Sequence, residues 1–318
     1  MNIRGKFVII FVVTKIKVVG VGGSGGNAIS RMKKCKIKGV ELIAVNTDAQ
    51  DLGKTRANFK IRIGKKITQG LGTGMNPEIG RLAAEESREE IKEFLRGADM
   101  VFVACGLGGG TGSGAAPIIA EIAKKSGALT VAVVTRPFSF EGFARQKIAR
   151  NSKKKIKEKV DSLIAISNDR LLEILDPKIS IINAFWVCDD ILRQAVQGIS
   201  DLIMLPGIIN IDFADVKTVM KNSGTALFGV GRARGEKRAE TAARAAISSP
   251  LLDVSPVGAK GVLFNVSGGK DISLSEIEEI GKIITQEINP AAKVIFGAVQ
   301  SEKLAEGELK VTLIATNF

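Results

Sequence analysis

The sequence predicts an α/β protein whose larger part is a doubly wound, Rossmann-like parallel sheet. Short apolar runs alternate with amphipathic stretches through the first half of the chain, and the runs are nearly continuous in Val, Ile, Leu and Ala. Such runs mark strands that are buried on both faces. Glycine-rich loops follow two of the runs. Strand–helix alternation with loops at strand ends is typical of a sheet covered by helices on both faces.

Six apolar runs are the predicted strands of this sheet. They are residues 16–21, 40–46, 59–63, 100–105, 129–135 and 162–167. The segment 77–97 is predicted to be one helix, because Pro77 suits a first helical turn and Gly97 suits a helix stop.

A long apolar segment, residues 179–205, is predicted to be a central helix. Ile181, Phe185, Leu192 and Ile199 recur there at helical spacing, and other apolar residues cover the remaining faces. A helix that is apolar on several sides is expected to be buried between two bodies.

The pattern changes after residue 220 and indicates a smaller C-terminal α/β domain. Its predicted strands are 225–233, 260–268, 292–300 and 309–318, and its predicted helices are 235–248 and 273–288. The chain is therefore expected to divide into an N-terminal extension (1–14), a sheet domain (15–177), the central helix (178–205), a loop and linker (206–221) and the C-terminal domain (222–318).

The composition excludes several kinds of chemistry. Cys35, Cys105 and Cys188 are far apart in the sequence, which gives neither a disulfide framework nor a zinc site and suits a reducing compartment. The 318 residues include no His, which excludes Ser–His catalysis, Cys–His catalysis and His metal ligands. Any chemistry must therefore use carboxylates, backbone amides, Arg, Lys or an oxygen-bound metal, and no residue is assigned as a metal ligand.

The chain has a formal net charge of +13, and its lysines concentrate in residues 31–38 and 145–159. Such clusters form either a patch for nucleic acid or anionic lipid, or a solvated helix face. The solvated face is favoured, because no aromatic side chains are interleaved as single-strand binders require. No nucleic-acid partner is predicted, whereas attraction to anionic lipid stays open.

The apolar run within residues 1–14 resembles a weak signal sequence but is far too short to span a bilayer, so an extra strand or extension is expected there.

Three glycine-rich loops indicate a phosphate-binding crevice. The first, GVGGSGGNA (20–28), fits G-x-G-x-x-G and alone suggests either a dinucleotide-binding oxidoreductase or a tight strand–helix turn. The second, GLGGGTGSG (106–114), lacks the Lys of a Walker loop. Because both follow central strands, backbone amides and helix N-termini would converge there and bind phosphate without a lysine. The third, TQGLGTGMNP (68–77), would fold over a terminal phosphate, so the three loops together predict a nucleoside triphosphate.

These motifs resemble those of the tubulin/FtsZ superfamily, and the chain is similar to FtsZ, the cell-division GTPase family. GGGTGSGAAP (108–117) resembles the superfamily signature. The matches run from about residue 15 to the end of the chain, and the further pieces are GVGGSGGNA, AVNTDAQ, GLGTGMNPEIGRLAAEE, VVTRPFSFEGFAR, ISNDRLL, AVQGISDLI and NIDFADVKTVM. The resemblance implies a tubulin/FtsZ fold in which residues 15–177 are a GTP-binding domain and residues 206–221 contain a catalytic loop.

The resemblance also implies which residues bind GTP. Those expected at the α/β-phosphates and ribose are Gly23, Ser24, Gly25, Gly26 and Asn27. Those expected at the β/γ-phosphates are Gly110, Thr111 and Gly112, and those expected to close over the γ-phosphate are Thr73, Gly74 and Met75. The residues Gly22, Asp48, Gly108 and Gly109 are also expected to bind the nucleotide. Glu141 and Arg145 are expected at the ribose and phosphates, Asn168 and Asp189 at the guanine edge, and Phe185 on the base.

Several of these side chains also have a plainer interpretation. Glu141 and Arg145 are spaced i,i+4 and suit a surface ion pair, and Phe185 alone suits core packing. Phe185 and Asp189 share one helix face, as the implied role requires, and Asp190 is the alternative to Asp189 if the register is shifted by one.

Asn210, Asp212 and Asp215 in NIDFADV (210–216) are the implied catalytic residues, although such a motif alone suits a turn and helix cap. Asp212 lies 23 residues after Asp189, and most of that span covers roughly 25–30 Å at about 1.5 Å per helical residue. Asp212 therefore cannot reach its own γ-phosphate. The resemblance implies that this loop enters the nucleotide site of the next subunit and polarises the attacking water, and such a heterologous contact propagates into a filament.

The expected function is that of a GTPase that polymerises head to tail and scaffolds the division ring in the cytoplasm at the division site. GTP or GDP and Mg²⁺, held mainly by phosphate oxygens and water, are the expected cofactors, with K⁺ as a further candidate. Division and membrane-tether proteins are implied partners, although the C-terminal tail peptide that binds tethers in FtsZ chains is absent from a sequence that stops at Phe318. Two alternatives remain. A non-hydrolysing nucleotide-binding scaffold would release no phosphate, and a nicotinamide-dependent oxidoreductase would bind NADH.

Overall fold

The computed structural model describes residues 14–173, 175–205, 207–249, 257–301 and 304–318. The predicted extension (1–14) lies outside the described residues except for Thr14. Within these ranges, no helix combines the length and the apolar character that crossing a bilayer would require.

Ten strands in the described ranges form one mixed sheet. They are β1 (Ile16–Val21), β2 (Val40–Asn46), β3 (Phe59–Arg62), β4 (Met100–Gly106), β5 (Leu129–Arg136), β6 (Ser162–Ser167), β7 (Gly224–Arg234), β8 (Gly261–Gly268), β9 (Lys293–Gln300) and β10 (Glu308–Thr316). The strand order is β3-β2-β1-β4-β5-β6-β7-β10-β8-β9. The predicted strands are confirmed, with bounds that differ from the prediction by a residue or two.

Helices lie on both faces of the sheet. They are α1 (Gly22–Lys34), α2 (Ala49–Lys54), α3 (Pro77–Glu86), α4 (Arg88–Leu95), α5 (Gly110–Lys125), α6 (Phe143–Lys157), α7 (Asn168–Leu172), α8 (Ile181–Met204), α9 (Phe213–Met220), α10 (Arg238–Ile247) and α11 (Leu274–Gln286), with a 3₁₀ turn at Ser139–Glu141. Helices α3 to α6 share one hydrophobic core with the first six strands, and α1 and α8 share the core on the opposite face. Helices α10 and α11 form a third core with the C-terminal strands.

Strands β1 to β6 are all parallel, in the order 3-2-1-4-5-6 of a doubly wound sheet. Strand β7 continues the sheet by pairing in parallel with β6. Strand β10 is antiparallel to both of its neighbours, β7 and β8, and β9 pairs in parallel with β8 at the edge. The fold class expected from the sequence, a parallel sheet followed by a smaller mixed α/β unit, is confirmed.

Helix α8 packs under both parts of this sheet. Its Leu192, Val196 and Ile199 are fully buried. They belong to one core cluster with Phe102 of β4 and Phe228 of β7. Each such side chain stabilises the fold by about 2 kcal/mol. The prediction of a central helix buried on several sides is therefore confirmed.

The prediction of one helix over residues 77–97 is wrong, because α3 and α4 meet at Ser87. The φ and ψ of Ser87, −103° and 17°, leave the helical region. Its side chain is buried, and its Oγ accepts a hydrogen bond from the Gly64 amide at 3.4 Å. A serine whose hydroxyl bonds to backbone competes with helix continuation. The predicted stop at Gly97 does follow α4, and Gly97 has a φ of +70°.

Glycines let α3 and α5 lie backbone against backbone. A Cβ added at Gly114 would lie 2.0 Å from the Pro77 carbonyl oxygen, and one added at Gly80 would lie 2.4 Å from the Gly110 carbonyl oxygen. At such separations the Cα hydrogen of glycine fits, whereas a Cβ atom would overlap the carbonyl oxygen. The start of α5 is therefore fixed against α3 and against the loop that precedes it.

We expect Gly114→Ala to lower the free energy of unfolding by about 1–3 kcal/mol, because its methyl group would overpack this helix contact. The matched control is Gly53→Ala in α2, where an added Cβ meets nothing within 4 Å. That change should be neutral or stabilising by up to about 1 kcal/mol. Urea unfolding of both variants checks the prediction, and equal midpoints would contradict it.

Candidate functional site

The carboxyl ends of β1 and β4 lie side by side, because the two strands pair in parallel register up to Val21↔Cys105. A glycine-rich loop and a helix follow each strand, with α1 beginning at Gly22 and α5 at Gly110. Neither helix has a side-chain cap at its N-terminus, so backbone N–H groups at both starts are left without a side-chain partner. The strand order reverses between β1 and β4, which is where doubly wound sheets bind ligands.

A cleft of about 460 Å³ opens at this point. It brings together fourteen of the twenty residues predicted to bind nucleotide: Gly22, Gly23, Ser24, Asn27, Thr73, Gly109, Gly110, Thr111, Gly112, Glu141, Arg145, Asn168, Phe185 and Asp189. The three glycine-rich loops thus meet at one place, with the start of α8 opposite them. Two uncapped helix N-termini make this end of the cleft suitable for an anion.

Three other predicted residues lie in or beside α1 and α2 without lining the cleft. An added Cβ would lie 2.6 Å from the Ala104 carbonyl oxygen at Gly25, and 2.9 Å from Thr55 Oγ1 at Gly26. These glycines allow α1 to lie close to β4 and α2. Asp48 caps α2, since its side chain accepts hydrogen bonds from the amides of residues 50 and 51.

The remaining predicted residues, Gly74, Met75 and Gly108, lie next to the lining. Gly74 and Met75 are exposed and have φ angles of +54° and +63°. A left-handed methionine is uncommon and marks a constrained loop. Gly108 has a φ of +104°, and its amide donates a hydrogen bond to Ser113 Oγ at 2.9 Å. Both loops are therefore held in conformations that point Thr73 and residues 109–112 into the cleft.

Asp189 forms the acidic end of the cleft. Ser24 Oγ donates a hydrogen bond to its Oδ1 at 3.1 Å, and the Arg31 guanidinium lies 3.6 Å from its Oδ2. Burial raises the pKa of Asp189 to about 6, and Arg31 and Ser24 lower it only in part. The Arg31 guanidinium also lies 4.6 Å from the centre of the Trp186 ring. The carboxylate is thus poorly solvated and available as an acceptor.

Asp190, the alternative in the sequence, faces a different environment. Its carboxylate is paired with Arg193 at 2.6 Å and accepts a hydrogen bond from Gln194 at 2.8 Å. Burial alone would raise the pKa of Asp190, but these contacts outweigh it and the pKa is lowered. Asp190 does not line the cleft, whereas Asp189 does.

Asn168 and Phe185 complete this end. Asn168 begins α7 directly after β6, and its buried Oδ1 has no hydrogen-bond partner. A buried acceptor without a donor is costly, and a ligand N–H would satisfy it. Phe185 is 38% exposed, and its ring packs edge-on against Phe138 at 5.3 Å between centroids. It therefore has both the core contact and a free face at the cleft.

Glu141 and Arg145 form the i,i+4 ion pair that their spacing suggests, with 2.8 Å between Arg145 Nη1 and Glu141 Oε2. Glu141 Oε1 also accepts a hydrogen bond from the Phe138 amide at 2.9 Å. Both residues line the cleft. The pair thus holds the only lining cation of the described residues at the rim, and the remaining donors there are backbone and hydroxyl groups.

Asn210, Asp212 and Asp215 do not line this cleft; they lie beyond the opposite end of α8. The 24-residue helix is about 36 Å long, and Asp189 belongs to its first half. Asp212 caps α9 by accepting a hydrogen bond from the Asp215 amide at 2.7 Å, and Asn210 Oδ1 accepts one from the Gly207 amide at 2.7 Å. The motif therefore does form the turn and helix cap that its sequence suggests. Asp212 and Asn210 are nevertheless exposed.

The segment around these residues is fixed to the sheet edge. The amides of Ile208 and Ile209 donate to the Ala298 carbonyl oxygen of β9 at 2.7 and 3.2 Å. Ile208 is 62% exposed. The acidic segment is thus presented to solvent on a rigid support.

Six lining residues were not named as nucleotide-binding from the sequence: Val21, Gly106, Leu107, Thr135, Pro137 and Cys188, of which the first three lie within the predicted glycine-rich loops. Thr135 follows from topology, because β5 is parallel to β4 and its carboxyl end must meet the same crevice. Cys188 is i+3 from Phe185 and shares its helix face. Burial raises the pKa of the Cys188 thiol to about 12, so it lines the cleft as a neutral group.

Two family models match the chain. The tubulin/FtsZ family GTPase domain matches residues 15–176, and the FtsZ family C-terminal domain matches residues 224–318.

Solved structures show the same similarity. An empty FtsZ dimer from M. jannaschii is 50% identical in sequence, with a TM-score of 0.91 over 95% of this chain and 88% of that chain. A CetZ2 protein from Haloferax volcanii, described as a GTPγS-bound protofilament, is 24% identical with a TM-score of 0.82 over 95% of this chain and 92% of that chain. At that identity the likeness concerns the fold alone.

Asp189 and Asp190 should affect stability with opposite signs when no nucleotide is bound. The charged form of Asp189 is disfavoured in the fold, so ionisation of this carboxyl lowers the free energy of unfolding. This loss of stability is absent below pH 3.8 and complete above about pH 6. Asp189→Asn should therefore be more stable than the parent, by about 3 kcal/mol at pH 7.5, and the gain should vanish towards pH 4.

Asp190→Asn is the control. Because the pKa of Asp190 is lowered, its contribution is present above pH 3.8 and lost only in stronger acid. This variant should be less stable than the parent, by a constant amount from pH 5 to 7.5. Urea midpoints across this range test both, and parallel pH profiles for the two variants would contradict the assignment.

Proposed function

This chain belongs to the tubulin/FtsZ family, and from that membership and the geometry of the cleft we propose that it binds and hydrolyses GTP while assembling head to tail into filaments. These filaments would scaffold the cell-division ring in the cytoplasm at the division site. Residues 15–177 act as the GTP-binding domain, 178–205 as the central helix, 206–221 as the catalytic loop and linker, and 222–318 as the C-terminal domain.

The observation that carries the proposal is the combination of donors and acceptors in one cleft. The uncapped N-termini of α1 and α5 supply backbone amide donors, and Asn168 Oδ1 and the Asp189 carboxylate are acceptors that line the same cleft. A nucleotide has phosphates at one end and a base at the other. The phosphates would accept hydrogen bonds from the glycine-loop amides, and Arg145 at the rim would add a positive charge.

The acceptors at the base end favour guanine. Guanine carries N–H donors on the edge of its ring, and an ionised carboxylate accepts two of them well. Asp189 accepts in this way, Asn168 Oδ1 gains the partner it lacks, and Phe185 flanks the ring. Adenine offers no such pair of donors to Asp189, so Ser24 and Arg31 would remain its partners and the two further hydrogen bonds would not form.

Hydrolysis requires a group that polarises the attacking water, and the described residues lining the cleft include no free carboxylate near its anion end. The exposed Asp212 and the neighbouring Asp215 would supply it from the next subunit in the filament. Apolar side chains are exposed at both ends of the molecule: Leu71 and Phe140 beside the cleft, and Ile208 beside the acidic segment. Exposed apolar surface at two different sites supports a heterologous contact between copies.

Mg²⁺ would bind mainly through phosphate oxygens and water, and it would neutralise charge that develops on the phosphates. K⁺ is a further candidate at the same phosphates. In the part of the chain that the structure describes, no cluster of three His, Cys, Asp or Glu side chains competes for such an ion. The residues of this chain bind and orient the nucleotide, while those of the neighbour orient the water.

We expect Asp212→Asn to bind GTP like the parent protein and to lose hydrolysis by at least about 100-fold. Asparagine caps a helix as well as aspartate does, so α9 keeps its start and only the charge is removed. Asp215→Ala should behave in the same way. Glu279→Ala, on the exposed face of α11, controls for loss of a negative charge. GTP affinity and phosphate release are the two measurements, and normal turnover in Asp212→Asn would refute the shared site.

Turnover per molecule should rise steeply above a threshold protein concentration, since each active centre needs two subunits.

A mixture of two inactive variants provides a sharper test of the shared active centre. Asp212→Asn supplies an intact cleft, and Asp189→Asn supplies an intact acidic segment. Each alone should be inactive, whereas an equal mixture should recover up to about a quarter of parental activity, because that share of random contacts joins the two intact halves. Turnover independent of concentration, with no recovery on mixing, would remove assembly from the mechanism.

A further inference from the structure

Helix α6 carries an unusual share of the charge of the molecule. Its fifteen residues, FARQKIARNSKKKIK, include seven basic and no acidic side chains, against a formal net charge of +13 for the whole chain. The inward side of the helix packs through buried Ala149, Ser152 and Ile156. These contacts fix the helix on the sheet face that α5 also covers, so its orientation is set by the core.

The outward side of α6 is a single row of cations. Lys147, Arg150, Lys154 and Lys157 follow one another at spacings of three and four residues, which places them on one helix face. All four are exposed. This basic row spans about 15 Å at 1.5 Å per residue.

The basic row has no paired counter-charge among the residues that the structure describes. None of its four side chains forms an ion pair with another residue of the described ranges, whereas nearby Lys125 and Lys159 both pair with Glu121, at 2.6 and 2.7 Å. Like charges at these spacings destabilise a helix. Only Lys154 and Lys157 lie in the last turn, where the helix dipole favours cations. Helix stability therefore does not explain Lys147 and Arg150.

We propose that the basic row docks on an anionic lipid surface. A straight row of long cations on a convex helix meets a plane of phosphate headgroups with all members at once. Binders of single-stranded nucleic acid interleave aromatic groups among their cations, whereas the one aromatic side chain of α6, Phe143, precedes the row. Each cation near an anionic bilayer adds about fivefold to binding.

The test uses the full chain without nucleotide, so its result does not depend on the proposed GTPase activity. Vesicles of phosphatidylcholine, alone or mixed with phosphatidylglycerol, are sedimented with the protein at low and high salt. The test variant combines Lys147→Gln, Arg150→Gln, Lys154→Gln and Lys157→Gln. The control variant combines Lys33→Gln, Lys34→Gln, Lys36→Gln and Lys38→Gln, which removes the same charge from exposed positions at the end of α1, on the opposite face of the sheet.

The parent should bind only vesicles that contain phosphatidylglycerol, and less at high salt. The test variant should lose more than about 50-fold in affinity and the control variant less than a tenth of that factor. Thermal unfolding checks that the test variant and the control variant are both folded. A variant that keeps the charge, with Lys147→Arg, Lys154→Arg and Lys157→Arg combined, should retain binding. Equal losses in both charge variants would overturn the proposal, as would equal binding to both vesicle types. Preferential binding of duplex DNA over the anionic vesicles, lost in the test variant, would assign the basic row to nucleic acid instead.

Discussion

The close approach of backbones around the β1 and β4 loops is the constraint on which the rest of the structure depends. Helix α1 crosses β4 at Gly25, and α5 crosses α3 at Gly114, in each case where a methyl group would overlap a carbonyl oxygen. This proximity brings two helix N-termini to one crevice at the point where the strand order reverses. The glycines here therefore have two structural roles. Some glycines leave amides open to the cleft, while others only permit the helices to come near enough.

The cleft combines those amides with a buried carboxylate, that of Asp189, and under the proposed function this combination would set the selectivity for the base. Burial disfavours the charged form of Asp189, and Ser24 and Arg31 offset that cost only in part. Asn168 has the same unmet need for a donor. A ligand that brings donors to both relieves costs that the free protein carries, so binding energy is concentrated on the base rather than spread over the whole ligand.

The sequence predicted the strands well, because continuous Val and Ile runs reflect burial on both faces of a parallel sheet. It also predicted that the three glycine loops converge, since topology follows from strand order. It failed at Ser87, where a side-chain contact with the Gly64 amide, 23 residues away, overrides a continuous helical pattern. It named Asp189 only through the resemblance and kept Asp190 as the alternative, because packing alone shows that Asp190 pairs with Arg193 while Asp189 lines the cleft. Cys188 was missed for a related reason, as it belongs to no quoted motif, and Thr135 was missed although it lies in VVTRPFSFEGFAR.

About two thirds of helix α8 separates the cleft from the acidic segment, and in the proposed filament this separation gives the row of stacked copies a direction. At one terminus of that row, a bound nucleotide would meet no acidic segment and would survive intact. At the other terminus, an acidic segment has no nucleotide to attack. The two tips are thus chemically unlike, and the surviving triphosphate sits where solvent still reaches it. Growth and loss of subunits would accordingly proceed at unequal rates at the two tips, a property already contained in the length of one helix.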